Sequence, residues 1–393
     1  MKATLQILLT LSLLAFGCNK EEKKSTSETA PAKAQAPSGD EIVIGAVFPM
    51  TGPIATYGIE SVNGIKLALE KISQTPIKGK KIRLIVEDNK GEPVDSANAA
   101  RKLIDINKVH AIIGSVASSN TLAEAPIAQK AGVPLLTPAS TNEKVTMQGN
   151  FISRTCFTDA FQGVVMAKFA KESLGKTKAA IIVDNASDYS KGLAKVFQKE
   201  FTAMGGTILG NMNELTYTQK DTDFRSLLRK VKRLGPDVIF LPGYYTEVGN
   251  MLKQARQMGI NTPFLGGDGW DSPKLQELAG PNGIKGNYIS SHFSPDDSDE
   301  KVQSFVKEYV ARYGQKPGAM AALGFDGIGV LADALNRAAS LGHADLQAAI
   351  ASTKDFIGVT GNITLDENRN ARKSAVVLET TAAGNVFKQK VSP

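Results

Sequence analysis

Short apolar runs alternate along this chain with longer stretches in which apolar residues recur at helical spacing. The short runs are rich in Ile, Val and Leu and end in Gly, Pro or small polar residues, as strands do where they enter turns. The predicted strands are 41–48, 81–87, 111–114, 135–137, 151–154, 179–184, 207–214, 238–241, 264–266, 361–365, 374–381 and 385–390. The predicted helices are 62–72, 94–107, 121–131, 161–174, 191–204, 224–234, 247–258, 299–313 and 321–341. This alternation predicts an α/β fold whose parallel sheets are covered by helices on both faces.

The alternation forms two series, one starting near Glu41 and the other near Ala179. A chain of 393 residues exceeds one ordinary core and suits two domains. After residues 286–290 the pattern changes to two long helices that are followed by strands. This order suggests that the chain returns near its end to complete domains that it began earlier.

The first residues predict export. Lys2 precedes an apolar run, 7–16, which is too short to span a bilayer and ends at Gly17-Cys18. A small residue followed by Cys after such a run is similar to a bacterial lipoprotein signal. We therefore expect residues 1–17 to be a signal peptide and Cys18 to be the acylated first residue of the mature protein.

One detail of this signal leaves an alternative open. The Leu that usually stands three positions before the Cys is displaced, since Ala15 occupies that position and Leu14 precedes it. A plain secretory signal that is cleaved elsewhere is the alternative. Residues 19–39 are rich in Lys, Glu, Ser, Thr, Ala and Pro and cannot bury a core, so residues 18–40 are expected to form a lipidated, flexible tether. The remaining chain has no segment that we expect to span a bilayer.

Composition excludes several classes of function. The chain is 42% hydrophobic and 22% charged, which are ordinary globular values. Its net charge of +7 is spread among interspersed acids and bases without a basic, aromatic-rich block, so no nucleic-acid partner is expected. Cys156 is the one cysteine after Cys18, and an intramolecular disulfide in the mature body is therefore excluded. His110, His292 and His343 lack metal-ligand spacing, so neither a metal nor a cofactor is expected.

Polar turns follow two consecutive predicted strands between residues 112 and 141. Ser118 lies in the first turn, where a helix begins, and Thr141 lies in the second. A helix N-terminus carries unpaired N–H donors and partial positive charge, which attract a carboxylate or phosphate. Open α/β sheets bind ligands at this carboxyl edge. The alternative is that Ser118, Ser119 and Thr141 only cap helices and form turns.

An acid and several aromatic residues follow other strand ends. Asp268 lies between glycines that allow a ligand to approach the backbone, and its carboxylate can balance a ligand cation. Trp270 beside it can supply an apolar or cation–π wall, although an exposed Asp in a tight turn is the alternative. Tyr57, Tyr189 and Tyr244 also come just after strand ends. A cleft with hydroxyls on one side and an acid on the other suits a zwitterion, of which an α-amino acid is the simplest.

Sequence motifs of enzymes are missing from the chain. It contains no G-x-S-x-G, no G-x-x-x-x-G-K-[ST], no H-E-x-x-H and no strand-end G-x-G-x-x-G. The acid pairs Asp184/Asp188 and Asp221/Asp223 are explained more simply by helix caps and turns. We therefore expect no enzymatic activity and no catalytic residues.

Six separated motifs, in one order, resemble those of the branched-chain amino-acid binding proteins, the type I periplasmic solute-binding subunits of ABC importers. The resemblance covers nearly everything from about Glu41 to Lys390. The motifs are IGAVFPMTGPIATYG at 44–58, IIGSVASSNT at 112–121, VPLLTPAST at 133–141, DNASDYSKGLAKVF at 184–197, FLPGYYTEVGNMLKQARQMG at 240–259 and FLGGDGWDSPKL at 264–275.

The resemblance implies two Rossmann-like lobes with parallel-core sheets, joined by a three-stranded hinge. Its crossovers are expected near 155–159, 290–293 and 360–363. The first lobe would then hold residues 41–157 plus 292–361, and the second would hold 158–291 plus 362–393. On this arrangement the late helices complete the first lobe and the last strands complete the second.

The resemblance also implies roles for residues at matching positions. Ser118 corresponds to the serine whose hydroxyl and backbone N–H hold the ligand α-carboxylate. Ala139 corresponds to the residue whose carbonyl accepts from the α-ammonium group, and Thr141 to the one that contacts both groups. Asp268 matches the acid that pairs with the ammonium group, where a Glu is also common.

Other matching positions would cover the ligand. The aromatic residue of the family's side-chain pocket falls near Met320, with Phe325 close by, so the preferred side chain is left open. The aromatic residues expected to cover the ligand as the lobes close are Tyr57, Tyr189 and Tyr244.

The expected function is capture of an amino acid, most simply a branched-chain or aliphatic one, by hinge closure. The expected location is the periplasm or cell envelope, with a lipid anchor at Cys18, an inner-membrane ABC permease as partner and a monomeric state. Two alternatives remain. The chain could be a ligand-binding sensor subunit, or it could bind an amide, a urea or an aromatic acid with the same fold.

Overall fold

The computed structural model describes residues 39–393, and the expected signal peptide, Cys18 and nearly all of the tether lie outside these residues. The strands are β1 (Glu41–Phe48), β2 (Lys81–Asp88), β3 (Ala111–Gly114), β4 (Leu135–Thr137), β5 (Ile152–Arg154), β6 (Lys178–Ile181), β7 (Val183–Asp184), β8 (Thr207–Ile208), β9 (Thr216–Tyr217), β10 (Val238–Phe240), β11 (Phe264–Gly266), β12 (Asn287–Ser291), β13 (Phe356–Gly358), β14 (Gly361–Leu365), β15 (Ala371–Arg372), β16 (Ala375–Thr381) and β17 (Gly384–Val391). The α-helices are α1 (Ala55–Ile72), α2 (Pro93–Arg101), α3 (Ser118–Ala131), α4 (Asp159–Lys168), α5 (Asp188–Ala203), α6 (Arg225–Leu234), α7 (Tyr245–Gln257), α8 (Pro273–Ile284), α9 (Glu300–Tyr313), α10 (Ala319–Arg337) and α11 (His343–Ala351).

The first large sheet has the strand order β2-β1-β3-β4-β5, and all of its pairs are parallel. Its strand β1 is buried from Ile42 to Phe48, which explains why this run is apolar without alternation. Late helices pack on this sheet and on its helix α1. Tyr313 donates a hydrogen bond to the Asn63 carbonyl of α1, and Gln347 donates one to Ser153 of β5. We call this sheet, with α1–α3, α9–α11 and β13–β15, lobe 1.

Helices α1 and α10 of lobe 1 approach each other closely through Gly64 and Gly324. A Cβ atom on Gly64 would collide with the Ala321 carbonyl, and one on Gly324 would collide with the Ser61 carbonyl. Within the described residues, α10 is the one helix long and apolar enough to cross a membrane by length and composition. Most of it is buried inside the protein, so its apolar composition is that of a core helix.

The second large sheet has the order β17-β16-β12-β11-β10-β6-β8. Its central pairs are parallel, whereas β16 and β17 join one edge antiparallel. The last strands of the chain therefore extend a sheet that begins with β6, far earlier in sequence. We call this sheet, with α4–α8, lobe 2. The α/β architecture with two lobes predicted from the sequence is confirmed.

The third crossover lies later than the sequence suggested. The sequence predicts that residues 362–372 belong to lobe 2, but β14 pairs with β13 and β15 and stays against lobe 1. The Arg369 side chain donates to the Ile152 carbonyl (2.9 Å), and its own carbonyl accepts from Arg154 N (3.0 Å). The chain then crosses at residues 373–374 into β16. Hydropathy alone could not place this boundary, because hydrogen bonds from Arg369 hold the segment.

One predicted strand, 207–214, is much shorter in the structure. β8 ends at Ile208, and Gly210 then takes a left-handed conformation with φ of 78°. The predicted helices 94–107 and 161–174 each begin as an α-helix, α2 and α4, and end in a short π-helical segment. These differences leave the order of elements unchanged.

Candidate functional site

A cavity of about 10 Å³ lies between the lobes, at the carboxyl ends of the parallel strands. Lobe 1 supplies the turns after β3 and β4 and the starts of α1 and α10. Lobe 2 supplies the starts of α5 and α7 and the turn after β11. The residues that line the cavity are Tyr57, Val116, Ser118, Ala139, Thr141, Tyr189, Tyr244, Asp268, Gly269 and Met320.

The lobe 1 face is built on the N-terminus of α3. Ser118 is the first residue of this helix, and its Oγ accepts a hydrogen bond from Asn142 N (3.2 Å). Ala139 and Thr141 lie in the turn after β4, facing the same cavity. A helix N-terminus flanked by hydroxyl groups provides donors and partial positive charge for an anionic group.

Buried hydroxyls fix the two turns of this face to each other. Thr121 Oγ1 accepts from Ser115 N (3.0 Å) and lies 2.6 Å from Ser140 Oγ. Ser140 Oγ donates in turn to the Ser115 and Val116 carbonyls (3.1 and 2.9 Å), and Thr137 Oγ1 donates to the Ser115 carbonyl (2.8 Å). Because these partners all belong to lobe 1, its face of the cavity is held without help from lobe 2.

The lobe 2 face carries an aromatic pair. Tyr189 and Tyr244 stack with ring centroids 5.5 Å apart, and Tyr57 of lobe 1 meets Tyr244 edge-on at 6.1 Å. Tyr189 Oη accepts from Gly269 N (3.2 Å), while Tyr57 Oη donates to the Gly269 carbonyl. Burial raises the pKa of all three tyrosines, so their phenols stay protonated.

Asp268 is the one carboxylate that lines this cavity, and both of its oxygens have partners near the hinge. Oδ1 accepts from Gln162 Nε2 (3.1 Å), and Oδ2 lies 3.1 Å from His292 Nε2. The backbone N–H of Asp268 donates to Gln162 Oε1 (3.3 Å). Gln162 lies on α4 just after the first crossover, and His292 lies on the second, so the carboxylate is positioned by the hinge.

His292 is buried and stacks on Phe157 with ring centroids 3.6 Å apart. Burial lowers its pKa more than the nearby Asp268 raises it, so the ring is neutral and donates from Nε2. Within residues 39–393, its Nδ1 has no hydrogen-bond partner. Burial and then the charge of Asp268 raise the pKa of Asp159 to about 8. Asp159 accepts from Gln162 Nε2 (2.7 Å), so an acid at the first crossover shares the same amide.

Several hydrogen bonds hold the lobes together in a closed arrangement. Asp188 of lobe 2 accepts from Ser119 Oγ (3.1 Å) through its carboxylate and from Asn142 Nδ2 (2.7 Å) through its carbonyl. On the opposite side, Thr246 Oγ1 donates to the Pro53 carbonyl (2.7 Å). The cavity therefore lies behind contacts that must break for a ligand to enter or leave.

The structure brings together all of the predicted site residues except Trp270 and Phe325. Trp270 points away from the cavity, and its indole N–H donates to the Leu241 carbonyl (2.8 Å) inside lobe 2. Phe325 packs against Phe305, with centroids 5.0 Å apart, in a separate cluster of lobe 1.

Sequence reasoning missed other residues of this region. Val116 and Gly269 line the cavity and lie inside motifs already singled out, so their proximity could have been anticipated. Gln162 and His292 gave no local signal, because their partner Asp268 lies 106 and 24 positions away in sequence, respectively. Within the described residues, no group of three or more His, Cys, Asp or Glu side chains is placed to hold a metal ion.

A cavity enclosed by two α/β lobes, at the carboxyl edges of their sheets, defines a two-lobed ligand-binding protein. The sequence profile described as periplasmic binding protein matches residues 41–385. The leucine-specific-binding protein of Salmonella typhimurium is 29% identical over 322 residues, which are 81% of this chain and 85% of that protein.

Two solved structures share the whole architecture. The leucine-binding protein LivK of Thermotoga maritima is 38% identical with a TM-score of 0.86, covering 90% of this chain and 99% of that one. LivJ of Streptococcus pneumoniae, a branched-chain amino-acid transporter substrate-binding protein in complex with isoleucine, is 34% identical with a TM-score of 0.84, covering 90% and 100%. The chain belongs to the periplasmic binding protein family, in its branched-chain amino-acid binding group. The name of this family implies an extracytoplasmic location, and solved relatives such as LivJ are substrate-binding proteins of transporters.

Proposed function

We propose that this protein captures an aliphatic, branched-chain amino acid outside the cytoplasm and delivers it to an ABC-type permease. One observation carries the proposal. The cavity places a hydroxyl-flanked helix N-terminus of lobe 1 opposite the Asp268 carboxylate of lobe 2. A zwitterion whose ammonium and carboxylate groups are attached to one carbon atom complements both sides at once.

The α-carboxylate binds at lobe 1. Ser118 donates its hydroxyl and backbone N–H to this group, and Thr141 donates a further hydroxyl. The partial positive charge at the start of α3 adds to the attraction. The Ser115–Thr121 and Thr137–Ser140 network keeps these donors in place before the ligand arrives.

The α-ammonium group binds between the lobes. The Asp268 carboxylate and the Ala139 carbonyl accept from it, and charge-assisted hydrogen bonds of this kind are the strong ones. The tyrosines of the site and Met320 then enclose the aliphatic side chain. A micromolar affinity would correspond to about 8 kcal/mol.

Closure of the hinge completes the site. The lobe 1 residues bind first, and rotation of lobe 2 brings Tyr189, Tyr244 and Asp268 over the ligand and expels water. The permease then receives the closed complex. In this role the protein binds and releases its ligand unchanged, so it is not an enzyme. Acylation of Cys18 tethers the monomeric protein to the membrane surface.

Calorimetric titration tests the proposal. The protein is unfolded and refolded to strip bound ligand and is then titrated with leucine, isoleucine, valine, phenylalanine, alanine and glutamate. Micromolar or tighter binding of an aliphatic amino acid supports the proposal. No heat with any amino acid from the folded protein contradicts it, as does tighter binding of an amide or benzoate. Recovery of a chemically altered ligand would contradict the assignment as a non-enzyme.

A further inference from the structure

A second cavity, of about 450 Å³, opens between the lobes beside the amino-acid site. Gly318 and Ala319 line it immediately before Met320, which lines the first cavity. On the lobe 2 side, its wall is formed by Asp271 and Ser272, just after Gly269 of the first cavity, and by the hairpin of β16 and β17. Both lobes therefore contribute to its walls when the protein is closed.

Glu60 of α1 contributes a buried carboxylate to the wall of this second cavity. It follows Tyr57 by one helical turn, and its side chain lines the cavity at 3% exposure. Within the described part of the chain, Glu60 Oε2 has no hydrogen-bond partner. A buried carboxylate without a partner is costly, so either a proton or a cation must accompany it. Burial, with the field of Asp271 added, raises the pKa of Glu60 to about 8.

Asp271 faces this cavity from lobe 2 and is 8% exposed. Its hydrogen-bond donors are neutral: Ser291 Oγ at 2.5 Å and Asn385 Nδ2 at 3.0 Å. The charged residues at the rim, Asp296 and Lys316, pair with each other at 3.4 Å. Among the residues that line this cavity, the carboxylates of Glu60 and Asp271 are therefore left without a cation.

The remaining wall favours an organic cation over a hydrated metal ion. Phe293, Ala319, Leu378 and Val386 provide apolar surface around the carboxylates. In residues 39–393 the acids of this cavity are not grouped as metal ligands are. A primary ammonium group can donate up to three hydrogen bonds, and an alkyl stem can cover the apolar wall.

We propose that this second cavity is a binding site for a small primary alkylammonium ion, held by Glu60 of lobe 1 and Asp271 of lobe 2. Because its walls come from both lobes, an amine bound there stabilises the closed arrangement. By thermodynamic linkage it then tightens binding of the amino acid, and the amino acid tightens binding of the amine.

The first test needs no amino acid and is therefore independent of the proposed transport function. Thermal unfolding of the full chain is followed with n-butylammonium chloride, with n-butanol as the neutral analogue and sodium chloride at equal ionic strength. The expected result is a rise of about 2 °C in Tm with the amine alone, at an excess of roughly tenfold over its Kd. The rise should be greater at about pH 9 than at about pH 6, because the amine binds ionised Glu60.

Variants separate this site from general salt effects. In the variants Glu60→Gln and Asp271→Asn, tested separately, the increase in Tm caused by the amine should be half of the wild-type value or less. The control variant Glu277→Gln, at an exposed position, should show the wild-type increase. An equal rise with sodium chloride or n-butanol would overturn the proposal, as would an undiminished rise in both cavity variants. Use of two variants keeps the test valid if one fails to fold. Calorimetry then measures linkage, with an increase of about fivefold in leucine affinity expected in the presence of the amine.

Discussion

The two faces of the amino-acid cavity are held in different ways. The lobe 1 face is tied together by buried hydroxyls of its own lobe, centred on Thr121 and Ser140. The lobe 2 face depends on groups outside its own turn, because Asp268 is held by Gln162 and His292 at the crossovers. In the proposed binding mode, the face that would bind the carboxylate is therefore preformed, whereas the acid that would bind the ammonium group is coupled to the hinge.

This difference explains how one cavity can both capture a ligand and couple its binding to closure of the lobes. A preformed face binds without a reorganisation cost, which favours first contact there. A carboxylate that is anchored on the hinge links ammonium binding to the relative position of the lobes. Changes on lobe 1 should therefore alter the stability of the face itself, and changes around Asp268 should alter affinity and its pH dependence.

The largest effect is expected from Asp268→Asn. The variant removes the negative charge that pairs with the ligand ammonium group while keeping the shape of the side chain. Loss of one partner of a buried charge pair costs about 2–5 kcal/mol, so affinity for leucine should fall by about 30-fold or more. Calorimetric titration measures the change, with Glu277→Gln on the surface of lobe 2 as control. An affinity within threefold of wild type, as a rough limit, would refute the assigned role.

Thr121→Val is expected to destabilise lobe 1. The substitution keeps the volume but leaves Ser115 N without its acceptor, at a cost of about 1–3 kcal/mol in the free energy of unfolding. Urea unfolding measures this cost, and Thr202→Val on the exposed side of α5 is the matched control. Equal stability of the two variants would contradict the view that buried hydroxyls hold the face.

His292→Gln is expected to change the pH dependence of stability. Burial lowers the pKa of His292, so acidification through its ordinary value of about 6.5 protonates the unfolded state first and reduces stability. The variant lacks this titrating group and should not show the loss. For one proton, the loss in the free energy of unfolding is at most about 1.4 kcal/mol per pH unit.

Asp159, whose pKa is raised to about 8, has the opposite effect on the pH dependence of stability. Its contribution to the free energy of unfolding is lost as pH rises toward that value. The informative quantity in the His292→Gln experiment is therefore the difference between variant and wild type. Urea titrations at about pH 5 and about pH 7 measure it. A variant that loses as much stability on acidification as wild type would show that His292 does not titrate in this range.

The smallest effect is expected from Lys220→Ala. Lys220 of lobe 2 pairs with Glu92 of lobe 1 at 2.7 Å, but both side chains are exposed. Exposed ion pairs contribute little, so leucine affinity should change by less than about twofold at physiological salt. A loss of leucine affinity of about tenfold or more would mean that surface charges, and not the buried groups, hold the lobes closed.

Local patterns were sufficient to predict the lobe 1 face. Ser118 and Thr141 lie in polar turns after apolar runs, and consecutive parallel strands bring their carboxyl ends together. Ala139 was included only through the family resemblance. The same logic failed for Trp270. Its position beside Asp268 suggested a wall, but the short helical turn Asp268–Trp270 directs the ring inward toward Leu241.

The features of the site that the sequence could not predict depend on contacts between residues distant in sequence. Gln162 and Asp268 are 106 positions apart, and their hydrogen bond depends on how lobe 2 folds onto the first crossover. Glu60 lies before the predicted helix 62–72, and no motif in the sequence singled it out. Its burial follows from α10 and lobe 2, which cover α1 only in the folded chain.

The pairing of each lobe with one end of the ligand is tested most directly by combining variants with ligand analogues. Calorimetry would compare leucine with isocaproate, which lacks the ammonium group, and with isoamylamine, which lacks the carboxylate. The loss caused by Asp268→Asn should appear with leucine and vanish with isocaproate, and the loss caused by Ser118→Ala should vanish with isoamylamine. Undiminished losses with these truncated ligands would contradict the assignment of the carboxylate to lobe 1 and the ammonium group to Asp268.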